Sequence, residues 1–93
     1  MGDMKQVSQT TQFAKDVKRM HKRGKKLDSL KAVVSDLAAG RTLDRNFRDH
    51  QLSGRWQHSR DCHVEPDWVL VYSSDSDSLR LERTGTHSDL FKK

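Results

Sequence analysis

The chain has 93 residues, 33% charged and 32% hydrophobic, which predicts one domain over residues 1–93 with a modest core and leaves no room for a second. Lysine and arginine outnumber aspartate and glutamate by 18 to 13, giving a net charge of +5 and a pI near 9.7; such a surface suits a polyanion or an acidic protein. Cys62 is the single cysteine, so no disulfide can form within the chain, and no apolar run approaches the roughly 20 residues that a membrane helix needs; a cytoplasmic protein without membrane contact is expected.

The first residues carry no signal-peptide core. Met1-Gly2-Asp3-Met4-Lys5-Gln6 has glycine at position 2 but glutamine at position 6, which fails the myristoylation pattern. Met1-Gly2-Asp3 reads as a remnant, with Met4 as an alternative start. Lys5–Ser8 is a short opening strand. Thr10 or Thr11 caps a helix whose apolar face is Phe13, Val17 and Met20, at i, i+4 and i+7, and which Gly24 ends. Leu27, Leu30, Val33, Val34 and Leu37 recur at three to four residues and predict a second helix, started near Leu27 or Asp28 and stopped by Gly40. The short link between the two predicts an antiparallel hairpin.

Residues 41–53 read as a loop and 54–64 as a strand, before Pro66 forces a turn. Trp68-Val69-Leu70-Val71-Tyr72 is apolar at every position, the pattern of a central strand covered on both faces. Residues 73–77 are a polar hairpin loop. Residues 78–84 form the next strand, with Leu79 and Leu81 inward and Arg80 and Glu82 outward. After Gly85, residues 87–91 suffice for one helical turn. The expected fold is α+β, a helical hairpin packed on one face of a small, mostly antiparallel β-sheet, whose other face is free to hold a substrate.

Four polar clusters stand at strand ends or in adjacent loops: Asp49-His50, Arg60-Asp61-Cys62-His63, Asp67-Trp68 and Arg83-Thr84-Gly85-Thr86-His87. A meander brings alternate strand ends to one edge of the sheet, where His50, His63, Asp67, Arg83 and His87 can converge. That set fits RNA cleavage by the RNA's own 2′-hydroxyl. The reaction needs a base for the hydroxyl proton, an acid for the departing 5′-oxygen and a cation for the crowded phosphate. Histidine serves both proton roles because its unperturbed pKa is about 6.5. Arginine donates two parallel hydrogen bonds to phosphate. No metal or other cofactor is required, and the residues alone leave open which of His50, His63 and Asp67 is the base. Arg83 could instead pair with Asp67 or Glu82.

Three segments carry a family resemblance. Residues 49–56, Asp49-His50-Gln51-Leu52-Ser53-Gly54-Arg55-Trp56, resemble the D-H-x-L-x-G-x-W signature of YafQ-like toxins in the RelE/ParE superfamily. Residues 60–72, from Arg60-Asp61-Cys62-His63 to Tyr72, are similar to that family's R-D-x-H-V-x-P-D-W-x-L-x-Y segment, and Arg83-Thr84-Gly85-Thr86-His87 with Leu90-Phe91 to its closing R-T-G-T-H-x-x-L-F. The likeness runs from about Phe13 to Phe91, the lysine-rich helices matching only in character. It implies a RelE-like fold and the toxin of a type II toxin–antitoxin pair. It also implies a ribosome-dependent messenger-RNA endonuclease acting at the decoding site and silenced by a cognate DinJ-like antitoxin. Functional residues carry over to His50, His63, Asp67, Arg83, His87 and Phe91, all present in kind. The departures are the Ser/Asp-rich hairpin loop, the remnant-like start and the extra Lys92-Lys93; they bear on codon preference, not on reaction class.

The basic stripe Lys15, Lys18, Arg19, Lys22, Arg23, Lys25 and Lys26 reads either as a solvated helix face or as a surface that docks on ribosomal RNA through phosphates. His58, Cys62 and His63 lack a fourth zinc ligand at a typical spacing, and Cys62 reads as a small buried residue. Trp56, Trp68 and Tyr72 read as core, with Trp68 alternatively shaping the floor of the site; Phe91 is either a C-terminal anchor or a stacking partner for a base. Two other classes remain: a ParE-like toxin that is not a nuclease, and a basic RNA-binding module without catalysis.

Overall fold

The computed structural model describes residues 4–91; the remnant-like Met1-Gly2-Asp3 and the extra Lys92-Lys93 lie outside the described residues. Strand β1 (Gln6–Gln9) leads into helix α1 (Thr11–Lys22), which a short link joins to α2 (Leu27–Ala38). Strands β2 (His50–Gln51), β3 (Arg60–Glu65), β4 (Trp68–Ser74) and β5 (Ser78–Gly85) follow, and α3 (His87–Phe91) closes the chain. The sheet order is β1-β5-β4-β3-β2. Only the β1–β5 pair is parallel.

The elements form for local reasons. Thr10 is the N-cap of α1, its hydroxyl accepting from the Phe13 amide at 2.9 Å. That hydroxyl also donates to the Glu82 carbonyl at 2.8 Å, so the cap fixes the helix start against β5. Phe13 and Met20 on α1, with Leu30, Val33 and Leu37 on α2, are buried against Trp68, Leu70, Tyr72, Leu79 and Leu81 of the sheet. This is the main core. Alternation along β4 sends Val69 and Val71 to the opposite face, where they pack with Leu90 and partly buried Leu52, Trp56 and Phe91. β4 is therefore central and covered on both faces, as its unbroken apolar run predicts.

Three boundaries differ from expectation. The predicted loop over 41–53 holds a 3₁₀ turn at Arg45–Phe47 and the two-residue β2, which is too short to show any periodicity. The predicted strand over 54–64 begins only at Arg60. Its first part is a 3₁₀ turn, Gly54–Trp56, entered through Gly54 at φ +67° and closed by the Ser59 amide donating to the Trp56 carbonyl at 2.8 Å. This turn lets Trp56 pack on the open face of the sheet. The polar hairpin loop is also shorter than predicted: β4 runs through Ser74, and Asp75 Oδ1 organises the turn by accepting from the Asp77 and Ser78 amides and the Ser78 hydroxyl. No helix among the described residues is long and apolar enough to cross a membrane.

Trp68 belongs to the main core and not to the floor of the site. It is fully buried, and its indole Nε1 donates to Thr84 Oγ1 at 2.8 Å, while that hydroxyl donates to the Val69 carbonyl at 2.8 Å. Trp68→Phe removes ring volume and one buried hydrogen bond together. The expected cost is about 1–3 kcal/mol, read as a lower urea midpoint at unchanged m-value; an unchanged midpoint contradicts the packing described.

Candidate active site

The open face of the sheet carries a cavity of about 340 Å³ lined by His50, Leu52, Asp61, His63, His87, Ser88 and Phe91. β2 and β3 supply one wall, because His50 pairs in register with Asp61, and His63 follows Asp61 by two positions on the same face. α3 supplies the other wall, with His87 and Phe91 at its two ends. The His63 and His87 rings are 5.1 Å apart, edge to face, and the His87 and Phe91 rings 6.1 Å apart. Four of the six residues singled out from sequence, His50, His63, His87 and Phe91, therefore line one cavity. They meet on the face of the sheet and not at its edge.

The histidines have different surroundings. His50 Nδ1 lies 2.7 Å from the Arg48 carbonyl, which can only accept, so this nitrogen carries a proton. His50 Nε2 lies 2.9 Å from Asp61 Oδ1, a close charge contact without hydrogen-bond alignment. Burial pushes the Asp61 carboxyl above its ordinary value, against the pull of the facing His50, His63 and His87. The His63 imidazole makes no hydrogen bond among the described residues. Burial, followed by the charge of His87, holds its imidazole below the ordinary value and so favours the neutral base. His87 faces Asp67, whose Oδ1 lies 3.2 Å from ring Nδ1 and 3.5 Å from the His87 amide. These contacts hold the exposed Asp67 carboxyl below its ordinary value. A carboxylate accepts only, so Nδ1 donates to it and Nε2 is left for a substrate.

Arg83 does not line the cavity. Across the ladder it pairs with Val71, an open-face residue, but its guanidinium is fastened to Asp16 of α1, by Nε to Oδ2 at 2.7 Å and Nη2 to Oδ1 at 3.2 Å. Neither Asp67 nor Glu82 is its partner. Asp16 is fully buried and also accepts from the Thr84 amide at 3.1 Å, Gln12 Nε2 at 3.2 Å and Arg19 Nη2 at 3.0 Å. Burial alone raises its carboxyl; the bonds from Arg83, the Thr84 amide and Gln12 outweigh that and hold it below the ordinary 3.8.

The basic stripe is divided. Arg23 makes a two-armed contact with Asp89 of α3 at 2.7 and 3.1 Å, Arg19 lies 3.8 Å from the same carboxylate, and Lys25 Nζ reaches Glu65 at 2.9 Å. Lys15, Lys18, Lys22 and Lys26 are exposed and form no ion pair among the described residues. Gly85, at φ +158°, allows the close approach: a Cβ there would come within 3.0 Å of Asp89 and 3.1 Å of Arg19.

Sequence reasoning missed Asp61, Leu52 and Ser88 in the cavity wall, and the supporting acids Asp16 and Asp89. The signals were present: Asp61 alternates with His63, and Asp16 stands three residues after Phe13 and four before Met20, on the buried face of α1. Asp49, part of the recognised motif, is structural; it accepts from Arg60 Nε at 3.1 Å and from the Tyr72 hydroxyl at 2.7 Å, tying the approach to His50 onto β3 and β4. Cys62 is buried as expected, its thiol pushed up to about 12 by burial. Among the described residues no three His, Cys, Asp or Glu side chains are grouped to hold a metal ion.

Residues 5–92 match the family model described as the bacterial toxin of type II toxin–antitoxin system, YafQ. The chain belongs to the YafQ family. The mRNA interferase toxin YafQ of Escherichia coli K12 is 43% identical to it over 86 residues, covering 91% of this chain and 94% of that protein. YafQ in the crystal structure of the E. coli DinJ–YafQ toxin–antitoxin complex superposes with a TM-score of 0.88 at 42% identity, over 95% of this chain and 98% of that one. A metal-bound toxin from Helicobacter pylori gives a TM-score of 0.88 at 38% identity, over 95% and 100% of the two chains. The RelE-like α+β fold expected from the sequence is thus the YafQ fold.

The Asp16 network makes a stability prediction with a defined sign. A carboxyl depressed in the folded state stabilises above its unfolded value and loses that contribution as pH falls through its folded value. Asp16→Asn should lower stability at pH 7 by about 2–4 kcal/mol, below the full cost of a broken buried pair because Arg83 is partly exposed. The gap should shrink as pH falls below 3.8, where the native carboxyl becomes protonated. Urea melts at pH 7 and pH 3 check this; a gap that widens at low pH means that the carboxylate is not the stabilising form.

Proposed function

We propose that this YafQ-family toxin is a ribosome-dependent endoribonuclease that cuts messenger RNA at the decoding site and so stops translation in the cytoplasm. The observation that carries the reading is the His63–His87 pair, 5.1 Å apart in one cavity, with Asp67 on the His87 ring and no hydrogen-bonding partner on His63. Facing titratable groups in unlike surroundings divide the acid and base roles. His63, desolvated and held neutral, takes the proton of the 2′-hydroxyl. That oxygen attacks the adjacent phosphorus, and the bond from phosphorus to the 5′-oxygen breaks. His87, oriented by Asp67 through Nδ1, donates from Nε2 to the departing 5′-oxygen. The products are a 2′,3′-cyclic phosphate and a 5′-hydroxyl.

The remaining residues support this step. His50, held through Nδ1 by the Arg48 carbonyl with Nε2 against Asp61, shapes the wall that receives the phosphate. Phe91 offers a ring for a base to stack on. Arg83 is the cation for the non-bridging oxygens; Asp16 takes Nε and Nη2 and leaves Nη1 free to donate. The chemistry needs no metal, and the side chains of the described residues are not grouped as a metal site. Lys15, Lys18, Lys22 and Lys26 dock on ribosomal RNA, with Arg19, Arg23 and Lys25 contributing charge from within their ion pairs. The partner that silences the toxin is an antitoxin of the DinJ kind, by analogy with the E. coli complex.

Three outcomes are expected. Messenger RNA in the decoding site is cut far faster than the same RNA free in solution; equal rates on both substrates oppose the proposal. The acidic limb of the single-turnover pH profile falls below pH 6.5, since the base must be neutral and burial holds His63 down; a limb above that value excludes His63. Third, His87→Ala slows the chemical step by roughly 10²–10⁴. A 5′-thio leaving group, which needs little protonation, largely restores this variant but not Arg83→Ala; failure of the rescue removes His87 as the acid.

A further inference from the structure

A second cavity, of about 450 Å³, lies beside the first, between the Arg45–Phe47 turn and the end of β3. Asn46, Phe47, Arg48, Glu65 and Pro66 line it, and His63 is the one residue that both cavities share. Its size is that of a small-ligand cleft. Arg48 has φ 50° and ψ 43° and is the only non-glycine residue among those described with positive φ. A left-handed arginine is uncommon and strained, and such strain tends to persist at functional sites. Here the conformation turns the Arg48 carbonyl to His50 Nδ1 at 2.7 Å while the exposed side chain flanks the second cavity. The guanidinium is near enough to His63 to help keep that ring neutral. Glu65 is the one acid in the lining, and Lys25 Nζ, 2.9 Å from Oε1, offsets its charge.

We propose that this second cavity is the binding site for the nucleotide on the 5′ side of the cut, the one whose 2′-hydroxyl attacks. The inference rests on the cleavage proposed above and assigns a polarity to it. The hydroxyl proton goes to His63 and the leaving oxygen takes its proton from His87, so the scissile phosphate spans the first cavity between them. His87 does not touch the second cavity. An RNA strand that continues past His63, away from His87, therefore enters it. The base rests against the half-buried Phe47 ring, where stacking is tolerant of base identity. The Asn46 amide, exposed and able to donate and accept, meets the base edge. Arg48 takes the phosphate one step further toward the 5′ end, where its fork matches the phosphate oxygens. The base on the 3′ side remains with Phe91 in the first cavity. Base selection at the 5′ position is then the task of Asn46, and affinity there the task of Arg48.

The test uses ribosomes programmed with intact mRNA or with mRNA carrying a single abasic ribonucleotide, either 5′ or 3′ of the cut. Two variants spare the acid–base pair: Asn46→Ala, at an exposed side chain, and Arg48→Asn, since asparagine tolerates the left-handed conformation. On intact mRNA, Arg48→Asn should raise the half-saturating toxin concentration about 10-fold, the worth of one charge-assisted hydrogen bond, while the saturating rate holds when read well above pH 6.5, where His63 is neutral with or without the guanidinium. Asn46→Ala should lose about 5-fold on intact and 3′-abasic mRNA and nothing on 5′-abasic mRNA. If native toxin cleaves but both variants match it on every mRNA, or if the Asn46 defect disappears with the 3′-abasic nucleotide instead, the assignment is overturned while the cleavage reading stands. If native toxin cleaves none of the ribosome complexes, the cleavage reading fails and the nucleotide site falls with it.

Discussion

The buried carboxylate of Asp16 is the contact on which the rest of the molecule depends. β1 ends at Gln9, so β5 beyond Leu81 has no strand on its outer side. An unpaired edge leaves backbone amides without partners. α1 starts at that point, and Asp16 accepts the Thr84 amide that the missing strand leaves free. The same carboxylate holds Arg83 by two nitrogens and Arg19 by a third. One side chain thus completes the sheet edge, fixes α1 to β5 and orients an arginine expected to act on phosphate. Thr84, held at its backbone by Asp16, receives the Trp68 indole at its hydroxyl. The core and the approach to the site are therefore joined through one residue.

A second ionic contact continues the first. Arg23, one helical turn beyond Arg19, grips Asp89, which also accepts from the Thr86 amide. Together they hold α3, five residues long, against α1. A helix of that length has almost no stability of its own. Leu90 supplies a buried anchor and Asp89 a charged one, and these place His87 and Phe91, one turn apart, side by side in the same cavity wall. Burial and the bond from Arg23 keep the cost of ordering α3 on its neighbours, so the two side chains that need position do not have to supply it.

What could be read from the sequence follows from the range of each interaction. The faces of α1 and α2, the Thr10 cap and the apolar run of β4 are set by neighbours within a few residues, and the structure has them where periodicity places them. Residues 54–59 look like a strand by composition but turn at Gly54, because packing of Trp56 on the open face outweighs weak local preference. In the site, His50, His63, His87 and Phe91 were legible because the motif spacing carries them. Asp16 was not, since its partners lie 67 and 68 positions away. Arg23 and Lys25 read as free charge because nothing local shows that their acids arrive from α3 and β3. The seven cations of the stripe therefore overstate the charge available to a partner on this helix face.

The same accounting bears on the cavity wall, in which no lysine or arginine stands among the described residues. Its titratable side chains are three histidines and Asp61, which can exchange protons among themselves. Two imidazoles 5.1 Å apart resist carrying charge together. His63 is the more enclosed and has no carboxylate on its ring, which favours its neutral form, so the division of base and acid proposed above is already favoured before RNA arrives. A fixed cation in the same wall would suppress the protonated form needed for donation. Arg83 stands outside that lining, restrained by Asp16. In the cleavage proposed above, the phosphate brings the negative charge that the protonated ring meets. Electrostatic attraction is then strongest when the phosphate stands between the acid and the base, which is the arrangement that the in-line reaction requires.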